Sequence, residues 1–347
     1  MSERKEQNMN QLPETIMDYR ELHQIVTGPV RARLMMTGIE LRIFNRLETF
    51  LSAEDVARDL GTHPENTRRL LDALVTIDLL EKENGLYRNM PISQTFLVEG
   101  SPTYMGALFQ MVDMRCVDPL TALTRLVKDG PAGEDAERDL ASQELWAELT
   151  RTSAAWPMGM VGRMVAGILS KLPGFSDFEK MLDLGGGHGI FALYIVNQHP
   201  FMKGTVFDRA PVVEVAREFI HKYGMEDRVD VAAGDYMTDD IGQDYDLIWA
   251  CSTLNFAKWD LDILLKKIYE AVRPGGYFVS FQDGMTHEHT KPDTMLGHLA
   301  DQLTTGIDFS LDQGAVAESA LRCGFQWVRS RTIETPMGPM DMDIARK

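Results

Sequence analysis

The residues Asp183-Leu184-Gly185-Gly186-Gly187-His188-Gly189 place an acid before a glycine-rich turn that lies between an apolar run and a helical one. Glycines there let the backbone bend sharply and come close to a ligand, and the following helix start offers free N–H groups. A dinucleotide site wants G-x-G-x-x-G. In this chain the glycines run Gly185, Gly187 and Gly189, and Ile190 comes next. Asp183, just ahead of the loop, suits a cationic amino-acid sulfonium better than a pyrophosphate. The next candidate strand ends at Asp208, about 20 residues past the glycines, where a carboxylate can take both ribose hydroxyls of an adenosine; Arg209 follows it. The third ends Gly234-Asp235-Tyr236, where Asp235 can accept the adenine amino hydrogens and Tyr236 can pack on the ring. The fourth ends at Cys251. The expected cofactor-binding set is therefore Asp183, Gly185, Gly187, Asp208, Arg209, Gly234, Asp235, Tyr236 and Cys251. The expected cofactor is S-adenosyl-L-methionine, and no metal is expected.

The elements that must position these residues are legible as short buried strands alternating with helices. Strands are predicted at 180–184, 204–207, 228–233, 246–251, 276–282, 325–333 and 340–345, and helices at 189–199, 211–223, 260–273 and 312–323. Such alternation implies a Rossmann-like α/β fold, a mostly parallel seven-stranded sheet with helices on both faces. This domain is expected over 175–347, with its boundary near Pro173-Gly174. Residues 101–174 read as a helical, pocket-lining linker with a charged loop at 129–139; Trp146 and Trp156 are assigned there to core or pocket wall.

Residues 14–100 have another rhythm. Helical spacing carries Ile16, Tyr19, Leu22, Ile25 and Val26 in one stripe, and Gly28-Pro29 is predicted to break that helix. Ser52 caps a helix that ends at Gly61, Pro64 opens a second with Leu70, Leu71 and Leu74 on its inner face, and Asn84-Gly85 turns a hairpin. Helix, helix and hairpin make a winged helix. The tail 1–13 is expected to be disordered.

Composition narrows the function. The 347 residues include 52 acidic and 35 basic ones, a net charge of −17. Such a chain repels nucleic acid and anionic membranes, so neither is an expected partner. Cys116, Cys251 and Cys323 are scattered and odd in number, which fits a reducing compartment. With no apolar leader, and no run near the ~20 residues of a spanning helix, the chain is expected to be cytoplasmic.

Taken together, Leu182–Gly189, Phe207-Asp208-Arg209-Ala210-Pro211 and Gly234-Asp235-Tyr236-Met237 resemble the O-methyltransferases of the plant caffeic-acid and hydroxyindole type, with their bacterial relatives. The resemblance spans about residues 15–335. It implies a class I methyltransferase domain, a winged-helix dimerisation domain, and a homodimer in which one subunit helps to wall its neighbour's pocket. It also implies methyl transfer to a small-molecule hydroxyl, on an aromatic or polyketide-like acceptor. The family's proton-abstracting histidine falls on Asn255, a neutral amide that cannot serve as a base. One acid that orients that histidine falls on Gln282, with Asp283 next to it; the other is Asp308. His298 stands where the family lines its substrate pocket, so Asn255, His298 and Asp308 form the candidate catalytic set. His287 and His289 flank Glu288 in a loop with no third metal ligand in view. Two alternatives stay open at this point: a relative that uses adenosylmethionine for another reaction, and a winged-helix DNA-binding regulator.

Overall fold

A computed structural model of the chain describes residues 15–131 and 142–347. The tail expected over 1–13, and most of the loop expected at 129–139, lie outside the described residues. The chain divides into two compact units, Met1–Glu99 and Gly100–Lys347.

In the first unit a single helix, Arg20–Glu40, runs through Pro29. The break predicted at Gly28-Pro29 does not occur. Proline removes one backbone donor, and its ring crowds the carbonyl four residues back and the N–H and Cβ of the preceding residue; Gly28 has no Cβ, so part of that cost is eased. Leu22, Ile25, Val26 and Val30 on this helix are exposed, whereas Met36 and Ile39 near its end are buried. Turns then carry Ile43, Phe44 and Leu47 into the core, each fully buried. Strand β1 (Leu51–Ser52) leads into the helix Ala53–Leu60, whose first turn is capped by the Ser52 hydroxyl accepting the Asp55 N–H at 3.1 Å. Gly61, at φ 65°, ends it. The helix Pro64–Thr76 buries Leu71 and Leu74, while Leu70 is only half-buried. Strands β2 (Leu80–Glu83) and β3 (Leu86–Asn89) form the hairpin, with Asn84 at φ 49° and Gly85 at φ 83°. β1 adds to β3, giving a three-stranded wing in the order β1-β3-β2. On the second helix Arg68 pairs with Glu65 and Asp72, and Arg69 with Glu65. The arginines a DNA-reading helix would present are thus already neutralised.

The second unit is built on a seven-stranded sheet in the order β6-β5-β4-β7-β8-β10-β9. Its strands are β4 (Lys180–Leu184), β5 (Lys203–Asp208), β6 (Val229–Ala233), β7 (Tyr245–Cys251), β8 (Val272–Gln282), β9 (Trp327–Thr335) and β10 (Gly338–Arg346). The first five are parallel; β10 runs antiparallel to both β8 and β9. All seven predicted strands are present within a few residues. Helices Gly162–Leu169, Ile190–Asn197 and Ala210–Lys222 contribute to one apolar core, and Leu261–Ala271 with Ala315–Cys323 to a second. The chain leaves β4 in one direction through β5 and β6, then returns to β7 and leaves in the other. That reversal opens a crevice at the carboxyl ends of β4 and β7, where α/β sheets bind ligands. The helices between residues 106 and 169 belong to this same unit. No described helix is long and apolar enough to cross a membrane.

Candidate active site

The loop after β4 is shaped by steric necessity. Gly185, Gly187 and Gly189 sit at φ 62°, 54° and 70°, a region that L side chains avoid. A Cβ on Gly185 would meet the Thr253 Oγ1 at 2.1 Å, and one on Gly186 the Asp183 Cγ at 2.5 Å. The loop is tied to the next strand end by the Asp208 carboxylate, which accepts the Gly187 N–H at 3.0 Å and the Arg209 N–H at 2.7 Å. Each Asp208 oxygen keeps a further lone pair for a hydroxyl donor. At the third strand end Gly234 leaves no room for a side chain, since a Cβ would lie 2.6 Å from the Phe207 ring. Asp235 accepts the Met237 N–H at 2.8 Å, and the Tyr236 hydroxyl donates to the Thr253 carbonyl at 3.3 Å. Cys251 closes the fourth strand.

Burial tunes these groups. Asp183 is 1% exposed, and burial raises its carboxyl to about 7, opposed by the N–H of Ala192. Burial also raises Asp208, against the two backbone N–H groups it accepts. His188 is buried and pushed down to about 4, so it is a neutral ring whose Nδ1 accepts the Ile190 N–H at 3.1 Å. Burial pushes the Cys251 thiol far up, so it remains protonated.

All nine residues expected to hold the cofactor line one cavity of about 740 Å³. Glycines at the loop let a ligand approach the backbone, and Asp208 and Asp235 offer acceptors at successive strand ends. This set of acceptors and closely approachable backbone fits S-adenosylmethionine.

The same cavity continues into an aromatic half. Trp146 and Phe256 meet edge to face at 5.4 Å, and Phe256 reaches Phe309 at 5.4 Å. Arg209 lies 5.6 Å over the Trp146 ring. Trp156, Thr294, Met337 and Met340 complete this side. His298 also lines the cavity, with Nε2 2.6 Å from Asp283 Oδ2. That hydrogen bond raises the His298 pKa, against burial and with help from the charges of Asp283, Asp301 and Asp308. Burial works to raise Asp283, but His298 outweighs it and holds the carboxyl below its usual range.

The other candidates stand elsewhere. Asn255 is not among the lining residues, and its Oδ1 is buried without a hydrogen-bond partner among the described residues. Asp308 accepts from Gln302 and from the Ser310 N–H, both at 2.9 Å, and lies 3.5 Å from the Lys258 ammonium. It does not approach His298 within hydrogen-bonding distance. His289 pairs with Asp312 at 2.9 Å and His287 with the Thr286 hydroxyl at 3.0 Å, so the two rings do not converge. Thr253, Phe256 and Phe309 were not singled out from the sequence, and Asp283 only as a neighbour of Gln282. Its place just past the end of β8 was the available signal, because ligand-facing acids gather at strand ends.

Residues 158–300 match the family described as the O-methyltransferase domain, and residues 24–99 the O-methyltransferase dimerisation domain. The chain is 28% identical over 275 residues to the N,N-dimethyltransferase OxyT of Streptomyces rimosus, covering 78% of this chain and 80% of that protein. It is 26% identical over 334 residues to the tetracenomycin polyketide synthesis 8-O-methyl transferase TcmO of Streptomyces glaucescens, covering 94% and 96%. Human N-acetylserotonin methyltransferase, solved in complex with SAM, superposes with a TM-score of 0.78 at 23% identity, covering 96% of this chain and 99% of that one.

Proposed function

The chain belongs to the O-methyltransferase family and depends on S-adenosylmethionine, and from that premise we propose that it methylates a hydroxyl of a flat aromatic acceptor, with His298 as base. The observation that carries this reading is the 2.6 Å contact between His298 and Asp283 in the cavity wall. When bound, the cofactor supplies an electrophilic methyl group on a sulfonium. Asp183, the glycine loop, Asp208, Arg209, Gly234, Asp235, Tyr236 and Cys251 form the wall that holds it. Trp146, Phe256 and Phe309 form one aromatic wall against which the acceptor lies, and a polyketide-like ring system suits it; the relative TcmO is named for polyketide synthesis.

Asp283 fixes the tautomer of His298. With Nε2–H donated to Asp283, Nδ1 carries the lone pair and takes the acceptor's proton. The carboxylate then stabilises the imidazolium. Asn255, a neutral amide set behind the cavity wall, is not the base: it cannot remove a proton and does not line the acceptor's space. Asp308 is a positioning residue, holding Lys258 and Gln302 beside the site. General-base catalysis is worth about 10²–10⁴-fold, so His298→Ala is expected to lower kcat by that factor, with cofactor affinity retained in calorimetry. The assay follows adenosylhomocysteine formation with a panel of phenols; full turnover by the variant would refute the assignment.

OxyT, an N,N-dimethyltransferase, favours one other reading, an amine acceptor. A neutral amine attacks without a base, because alignment alone carries the step. In that case His298→Ala would leave turnover of amines unchanged while phenols stay inert even with the wild-type protein.

A further inference from the structure

A second cavity, of about 930 Å³, shares no lining residue with the first. It lies between the end of the helix Gly162–Leu169 and one face of the strands β8, β10 and β9. The strand register explains its composition. Trp327, Arg329 and Arg331 alternate along β9 and so share a face; Arg346 pairs with Trp327 on one side and with Tyr277 on the other. The other face of the same hairpin takes the acids. Asp341 accepts from Thr332 at 2.8 Å, and Asp343 is hydrogen-bonded to Ser330. The hairpin thus separates its charges, with arginines to one side and carboxylates to the other.

Lys171 joins Arg329, Arg331 and Arg346 at the wall, and among the described residues no Asp or Glu lines it. In a chain of net charge −17 this is a local reversal of sign. Like charges held together repel unless a counter-ion sits among them. Arg331 sharpens the case: its Nε is buried without a hydrogen-bond partner among the described residues, and its Nη2 touches only the Met342 sulfur at 3.7 Å. A buried guanidinium donor calls for an acceptor. Tyr277 lies under Arg346 at 5.7 Å, and Trp327 leaves 47% of its surface open.

We propose that this groove binds a small phosphate-bearing ligand with a flat ring, of the nucleotide kind, its phosphates on the arginines and its ring on Trp327. Guanidinium forks match phosphate oxygens two at a time. An exposed indole face stacks on a flat ring. The volume falls in the range of small-ligand sites. A long polyanion is disfavoured by the chain's net charge of −17.

The test is calorimetry on the full-length protein saturated with S-adenosylhomocysteine, which fills the active site. Adenosine triphosphate is expected to bind with a Kd below about 100 µM. Adenosine and inorganic triphosphate, each lacking one half of the ligand, are expected to bind at least about tenfold more weakly. The exposed variants Lys171→Gln and Arg329→Gln avoid the risk of misfolding at half-buried Arg331, and each is expected to weaken binding about 3–10-fold with methyl transfer unchanged. Absence of heat from adenosine triphosphate, or equal binding by both variants, overturns the proposal. So does a single-stranded oligonucleotide that binds more tightly than adenosine triphosphate, since the groove would then be part of a macromolecular surface.

Discussion

His298 and Asp283 meet across fifteen residues of sequence, one on a helix and one just past the end of a strand, and each changes the other's acidity. The hydrogen bond raises the histidine, and a base must be neutral to act. The limb of kcat/KM that rises with pH should therefore have its midpoint above the ordinary histidine value of about 6.5. Asp283→Asn removes the cause of the shift, so the midpoint is expected to move down while kcat falls. A midpoint that stays in place would separate the pair from the chemistry. Asp183 is also raised, but burial rather than a partner moves it. Its folded carboxyl titrates at about 7, whereas an unfolded aspartate titrates at about 3.9. Between those values the folded chain keeps a proton that the unfolded chain has lost, so this group's contribution is full at low pH and is lost as pH rises to about 7. Thermal melts of cofactor-free Asp183→Asn are expected to lose that part of the pH slope, the amide oxygen still accepting the Ala192 N–H.

At the scale of elements, strand ends do the positioning. The alternation of buried strands and helices was readable because each repeats a local pattern, and the acids at the ends of β5 and β6 could be counted from it. What could not be counted were contacts between distant segments. Trp146, Phe256 and Phe309 gather from three separate stretches, and no periodicity links them. Asp283 was legible only as a neighbour of Gln282, because one residue of strand register decides which of the two lines the cavity. Pro29 is the reverse case: a local rule predicts a break, yet the helix continues through Gly28-Pro29, where the missing Cβ of Gly28 eases part of the crowding. The glycine loop is the element where local rule and tertiary structure agree. Gly185→Ala must place a methyl group against Thr253 at a φ of 62°. It is expected to weaken cofactor binding by about tenfold or more, equivalent to about 1.4 kcal/mol, with the circular dichroism of the native fold retained. Unaltered affinity would mean that the loop does not approach the cofactor.

At the scale of the whole molecule, the exposed apolar residues of the first helix ask for a partner. Leu22, Ile25, Val26 and Val30 are each more than half exposed, and a run of apolar side chains on a soluble helix marks an interface. The O-methyltransferase dimerisation domain matched at residues 24–99 supports a homodimer, so a second copy is the cover expected for this stripe. The double variant Val26→Glu, Val30→Glu places charges on that stripe and is expected to shift the mass in light scattering from two chains to one.

The cavity's two halves also come from different parts of the chain. The residues proposed to hold the cofactor lie between Asp183 and Cys251, while the aromatic wall is drawn from before that span, at Trp146 and Trp156, and after it, at Phe256, Phe309 and Met340. Drift in those flanking stretches can change which acceptor is chosen without disturbing the central span that carries the reagent. Lineages of this architecture are free to diversify their products by point mutation or segment exchange, and a protein engineer can do the same by grafting the flanks of one relative onto the centre of another.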